Sequence, residues 1–332
     1  PLRRQRQMCI RDRKLILPIV LGGFILFWVY HNFDFTKVGE VLLHGTNWWW
    51  MFFSLLFGVL AQVFRGWRWK QMLEPLEAFP KRSDCVNAIF ISYAASLIVP
   101  RVGEVSRCGV LAKYDNVSFA KSLGTVVTER LGDTLTILLI TGVTVLLQLP
   151  IFVTFLQQTG TKIPSLLHLL TSVWFYIVLF CFIGVGMLLY YLRKTLFFYE
   201  RVKGFVLNIW EGVMSLKGVR NIPLFSFYTL AIWGCYFFHF YFTFYCFAFT
   251  AHLSILAALV MFVGGTFAVI VPTPNGAGPW HFAVISMMML YGVNETDAGI
   301  FALIVHGIQT FLVVLLGVYG LAALSLTNRQ RK

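Results

Sequence analysis

The sequence predicts an all-α polytopic membrane protein, with about seven to eight transmembrane helices plus two broken or re-entrant hairpins that suggest an inverted repeat. Three observations predict it. Hydrophobic residues make up 58% of the chain and charged residues 12%. Uncharged runs are long, with no Asp, Glu, Lys or Arg between Arg220 and Glu295, and about 18 consecutive apolar residues already make a spanning-helix candidate. Two breaks rich in proline and glycine, at Pro100 and at Pro272 to Gly278, interrupt apolar runs that are short for a span.

The length of 332 residues fits one integral membrane domain, expected over residues 15–326 and followed by a cytoplasmic tail over 327–332. Residues 1–14 read as a basic N-terminal tail or as sequence foreign to the protein, and they are set aside. The net charge of +13 sits between apolar spans. It therefore reads as membrane orientation and attraction to anionic lipid, with no nucleic-acid partner. Six scattered cysteines form no C-x-x-C pair, which predicts packed thiols and neither disulfide framework nor metal site. H-E-x-x-H and Gly-rich nucleotide loops are absent from the sequence, so no cofactor is expected.

Residues 15–33 form the first helix, since no small-residue cleavage site follows the apolar run. A polar loop covers 34–47. The second helix, 48–64, opens on Trp48, Trp49 and Trp50, residues suited to a membrane–water interface. Arg65-Gly66-Trp67-Arg68-Trp69-Lys70 closes it. That stretch reads as a positive-inside anchor with interfacial aromatics, or as phosphate contact by Arg65 and Arg68 on one helical face. Residues 88–99 are too short to span and read as re-entrant. They run into Pro100-Arg101-Val102-Gly103-Glu104-Val105-Ser106-Arg107. Non-helical backbone at membrane depth is tolerated only where protein covers it or a polar cavity adjoins it. Ionisable residues there mark a functional site.

A segment over 107–121 follows, then a helix opened by Thr125 to Asp133 and ending near Pro150. Glu129 and Asp133 are four apart and share a face, with Arg130 adjacent. They read as a juxtamembrane ion pair or as a site within the span, because the helix is apolar on both sides of Asp133. Another helix covers 166–192, and a basic loop or surface helix covers 193–220. A long aromatic helix covers 222–250, its stripe from Tyr236 to Phe249 being lipid-facing and packing surface. A helix over 253–271 leads to the second break, then a short helix over 282–293 and the last over 298–326.

Lys37 and Lys162 are the only basic residues in loops placed outside. The other basic loops and the C-terminus fall inside. That count makes the first break a hairpin dipping in from the cytoplasmic side and the second a hairpin dipping in from the outer side. Opposed breaks of this kind point to an inverted-topology repeat with a midplane site. The alternative is two ordinary extramembrane turns.

Four motifs then occur in order: Arg65-x-x-Arg68-Trp69, Pro100-Arg101-x-Gly103-Glu104-x-x-Arg107, Glu129-Arg130-x-x-Asp133 and Pro272-x-Pro274-x-Gly276-x-Gly278. Together they resemble the lysylphosphatidylglycerol synthase transmembrane region, or flippase-like domain family, over nearly the whole chain beyond the tail. The resemblance implies a domain that moves a modified lipid across the bilayer after a separate soluble domain has made it. That synthase domain is not expected here, because the chain ends a few residues after its last helix. Similar regions are fused to, or work beside, glycosyltransferases, so a separate synthase or glycosyltransferase is an expected partner. The chain departs from the family's Gly-x-Gly-x-x-Glu by carrying His281 where the carboxylate stands.

The expected function is a lipid or glycolipid flippase moving an anionic headgroup between leaflets of the cell (plasma) membrane, with the C-terminus cytoplasmic. Arg65, Arg68, Arg101, Arg107 and Arg130 are the candidate lipid-phosphate ligands, since guanidinium forks match phosphate oxygens. Glu104, Glu129, Asp133 and His281 would pair those arginines or couple movement to protons. Pro100, Gly103, Pro272, Pro274, Asn275, Gly276 and Gly278 form the broken backbone. Gly276 and Gly278 would permit close approach, and the helix from Pro279 would aim its N-terminus at an anion. Two alternatives stand beside it. One is an intramembrane enzyme on lipid carriers, using Glu104, Glu129, Asp133, His281 or His306 as acid–base groups. The other is a non-catalytic subunit that recruits a glycosyltransferase or synthase.

Overall fold

The computed structural model describes residues 18–31, 33–151 and 218–329, with isolated positions 153, 180, 207, 210 and 214. The expected tail over 1–14, the helix over 166–192, most of the 193–220 loop and the last three residues lie outside the described residues. Among the described residues the fold is helical, with no strand. The helices are α1 (Pro18–Tyr30), α2 (Thr36–Glu40), α3 (Trp48–Leu73), α4 (Arg82–Ile98), α5 (Val102–Tyr114), α6 (Phe119–Leu147), α7 (Ile222–Tyr241), α8 (Ile255–Ala268), α9 (Pro279–Leu290) and α10 (Glu295–Arg329). Among the described residues, four stretches are long and apolar enough to cross a membrane: Trp48–Leu76, Phe119–Leu147, Ile222–Cys246 and Glu295–Thr327. Pro18–Tyr30 and Ile255–Ala268 are shorter apolar helices.

Local chemistry explains several helix starts. Asn47, Asn221 and Ser254 each accept a hydrogen bond from a backbone N–H in the first turn of α3, α7 and α8, which satisfies donors the helix itself cannot. Other boundaries correct the sequence reading. α3 runs nine residues past Phe64, because Arg65 and Arg68 point into the protein and do not close the helix. α4 starts at Arg82 and is 17 residues long, longer than the apolar run alone suggests. α7 stops at Tyr241, and a tighter 3₁₀ turn over Phe242–Cys246 continues it. Phe240, Phe244 and Phe247 of the aromatic stripe are buried, so that part is internal surface.

α4 and α5 form one helical hairpin, and α8 and α9 a second. The first turns at Val99 to Arg101, where Arg101 adopts a left-handed backbone with φ of 66°. Gly103 lets the two arms meet, for a Cβ there would lie 2.0 Å from the Ser92 carbonyl oxygen. The second turns through Pro274–Gly276, with Asn275, Gly276 and Gly278 all at positive φ.

α10, 35 residues long, fixes how the hairpins relate. Its first part packs on α9. Further along, Thr310 accepts a 2.7 Å hydrogen bond from Asn275 at the tip of the second hairpin. Further still, Gly317 and Gly320 lie against Ala94 and Asn87 of α4, so close that a Cβ on Gly317 would stand 2.2 Å from that of Ala94. The hairpins thus occupy opposite halves of α10, and the Pro274–Gly276 turn touches α4 where they meet. Each has its own core. Trp69, Leu73, Cys85, Ile89, Cys108 and Leu111 fill the first. Phe244, Phe247, Met261, Val284 and Phe301 belong to the second. α6 carries Leu131, Leu135, Leu139 and Leu146 exposed, an apolar stripe fit for lipid contact.

Candidate functional site

Asp133 is the central residue of the 29-residue α6, about 21 Å from either end at 1.5 Å per residue. A carboxylate at that depth in an apolar helix needs partners. Arg65 and Arg68, one turn apart on α3, supply them. Arg65 donates to Asp133 at 2.8 Å and to Glu129. Arg68 meets Asp133 at 2.8 Å and Glu129 at 3.4 Å. Arg107 of α5 closes on the other oxygen of Glu129 at 2.8 Å. Arg130 holds Glu104 at 2.8 Å and stands 3.8 Å from Asp133. The i, i+3 and i, i+4 spacings on α3 and α6 put these groups on facing stripes, and the first hairpin brings Arg107 and Glu104 to them.

Among the described residues the cluster holds four arginines against three carboxylates, leaving one net positive charge. Glu129 has no exposed side-chain surface, and Arg65, Arg68 and Arg107 have 3% or less. Of the readings open at Arg65 and Arg68, the interfacial anchor is therefore wrong. Glu129 and Asp133 are likewise not at the start of their helix, which begins at Phe119 with Asp133 at its centre. Trp69 supports the cluster from below: Arg107 lies over its ring at 4.7 Å, and its indole N–H donates to Thr125 at 2.9 Å.

A cavity of about 770 Å³ adjoins one side. Arg65, Arg101, Glu104, Arg130 and Asp133 reach it, while Arg68, Arg107 and Glu129 stand behind. Arg101, at the turn of the first hairpin, is exposed. Its left-handed backbone turns the chain at the mouth of the cavity. The remaining walls come from both hairpins, α6, α7 and α10. Leu138 of α6 and Phe267, Val269 and Ile270 of the second hairpin are exposed apolar residues on this lining. The space is therefore cationic at one wall and greasy at the rim.

The second break is arranged differently from the sequence reading. Gly278, at φ of 92°, approaches helix α1 and no open space: a Cβ there would meet Ile25 at 2.9 Å and the Gly22 carbonyl at 3.0 Å. The α9 N-terminus is also occupied. The Gly278 N–H donates to Nδ1 of His281 at 3.3 Å, so the side chain at the third helical position reaches back to cap its own helix. A glutamate there would make the same bond, which is why histidine can stand in its place. His281 is buried, meets His306 edge to face with ring centroids 4.6 Å apart, and does not join the ion cluster. His306 Nε2 bonds the Asn275 carbonyl at 3.1 Å, a donor role set by the carbonyl.

Sequence reasoning missed several residues on these walls. Tyr93 and Tyr236 share a 2.7 Å hydrogen bond between hydroxyls, with Arg65 5.7 Å from the Tyr236 ring. Gln62 and Gln309 lie nearby. No local pattern marks them, although a glutamine inside an apolar span, as at Gln62 and Gln309, is itself a signal. Among the described residues no group of acidic, His and Cys side chains is arranged to hold a metal ion.

Comparison with curated proteins and with solved structures returned no match. The family described as the lysylphosphatidylglycerol synthase TM region matches residues 15–317, a range that contains the ion cluster, both hairpins and the cavity between them. The chain belongs to that family.

Proposed function

We propose that the protein moves a lipid with an anionic headgroup between the two leaflets, the headgroup travelling through the cavity while its tails stay in hydrocarbon. The observation that carries the reading is the net positive cluster at the centre of α6, opening on a cavity whose rim is exposed and apolar. Counting Arg101, five arginines face or back the cavity against three carboxylates. Arg101 and Arg130 are the accessible forks for a phosphate. The carboxylates keep the deeper arginines paired when no lipid is present, since an isolated buried charge is costly. Arg68 and Arg107 hold Glu129 and Asp133 in place and are not phosphate ligands themselves. His281 is a cap and not a coupling group. The hairpins would enter from opposite membrane faces as an inverted repeat, with the C-terminus cytoplasmic in the plasma membrane and a separate synthase or glycosyltransferase supplying the lipid.

The test is transbilayer movement of a fluorescent phosphatidylglycerol in proteoliposomes holding only this protein. Wild-type protein is expected to move it without covalent change. The Arg101→Ala/Arg130→Ala pair is expected to slow it about tenfold or more, the loss of charge-assisted hydrogen bonds. A covalently altered product would instead favour the intramembrane enzyme, and movement indifferent to both arginines would overturn the site.

A further inference from the structure

Beside the arginine-walled cavity lies a smaller space of about 210 Å³, and Tyr93, Tyr236, His239, Trp280 and Gln309 form walls of both. The two differ in chemistry. Among the described residues, no Asp, Glu, Lys or Arg lines the smaller space. Its walls nonetheless carry hydrogen-bonding groups with nothing to bond. Gln62 is 5% exposed and its Oε1 has no partner among the described residues. Gln309 leaves its Nε2 without one. Buried polar groups in proteins are almost always paired, and an orphaned one costs free energy. One free acceptor and one free donor lining the same space mark a place that a polar guest fills.

Resting on the transport reading above, we propose that this annex receives an uncharged polyhydroxyl group carried on the lipid phosphate. The transported headgroup is then a phosphate bearing a sugar or polyol, and not one bearing an amine. A hydroxyl both donates and accepts, so a polyol satisfies Gln62 Oε1 and Gln309 Nε2 together. Tyr93, Tyr236 and Trp280 add rings with polar tips, surfaces suited to a guest that is apolar on one face and polar at its edge. An ammonium group offers donors only and needs an anion. The three carboxylates of the neighbouring cluster are all held by arginines. The annex equals about seven waters of liquid volume, the size class of one sugar ring. Arg65 of the arginine wall lies 5.7 Å from the ring of Tyr236, which both spaces share, so the substituent of a phosphate held in the larger cavity has the annex beside it.

The experiment compares fluorescent phosphatidylglycerol, phosphatidylinositol, a polyprenyl phosphate sugar and lysyl-phosphatidylglycerol in proteoliposomes of the full chain. At least one polyol-bearing lipid is expected to cross about tenfold faster than the lysyl ester, a difference of one well-made hydrogen-bonding match. Whether a glycerolipid or the polyprenyl lipid leads identifies the carrier. Gln62→Leu and Gln309→Leu are expected to bring that ratio to about one. Gln309 is only half-buried, so its variant serves where Gln62→Leu lowers protein yield. Equal rates for all lipids, a faster lysyl ester, or an unchanged ratio in both variants would overturn the proposal and leave the annex a water pocket. Movement of none of them would overturn the transport reading on which it rests.

Discussion

Glu129 is the residue on which the ion cluster depends, because Arg65, Arg68 and Arg107 all converge on it with no exposed surface. Removing its charge leaves Arg65 and Arg68 sharing Asp133 and takes from Arg107 the carboxylate that holds it. Breaking a buried pair in this way costs about 3–5 kcal/mol. Glu129→Gln is therefore expected to lower the unfolding midpoint of the detergent-solubilised protein strongly. Adding Arg107→Gln should return part of the loss, since the double variant removes one orphaned charge. A midpoint for Glu129→Gln within error of wild type would mean that the cluster is not closed as described. The same close accounting applies to His281. His281→Gln should keep stability near wild type, because an amide oxygen at the third helical position can accept from Gly278 N–H as the imidazole does, without burying a charge. His281→Leu, which cannot accept, should lose about 0.5–2 kcal/mol, the usual worth of a cap. If both variants behave alike, the capping role is wrong.

At the scale of elements, the hairpins exist because their arms touch at small residues. Gly103 sits where no side chain fits, its Cβ position being 2.0 Å from backbone. Gly103→Leu should splay α4 from α5, withdraw Arg107 from Glu129 and abolish any transport. Limited proteolysis near Val99 to Val102 reads the opening, and a cleavage pattern equal to wild type would refute it. Gly278 is the counterpart in the second hairpin, packed on α1 with a positive φ. Gly278→Leu should accordingly lower stability by separating α1 from the hairpin. Loss of activity with unchanged stability would restore the sequence-based view that this glycine faces a ligand.

For the whole molecule, α10 aligns two halves. The start of α4 and the end of α10 share one end of the structure, through Asn87 beside Gly320. The tight turn after α9 that leads into α10 lies at the other. Cysteine at Lys81 or Thr327 should then be labelled from one side of the membrane only, and cysteine at Asn294 from the opposite side. If the C-terminus is cytoplasmic, as proposed above, impermeant reagent added to intact cells should reach position 294 alone. Labelling of 81 and 294 from the same side would end the opposed-hairpin architecture.

The sequence by itself determined the helical membrane class and the two breaks, and it singled out Glu104, Arg107, Glu129, Arg130 and Asp133 as candidate site residues. Long uncharged runs admit no other economical solution in lipid, and a charge inside such a run must find a partner. It also carried the four motifs on which the resemblance rests, within the range that the family model matches. It did not decide where helix α3 ends, because a local reading of Arg65 to Lys70 cannot tell a charge leaving the membrane from one paired inside it. It did not reveal that Gly278 serves α1, that His281 caps α9, or that Gln62 and Gln309 share a pocket with the hydroxyls of Tyr93 and Tyr236. Those are contacts between segments tens to hundreds of residues apart. Periodicity fixes which face a side chain occupies but not what lies across from it, and only the packing of α10 against both hairpins supplied that.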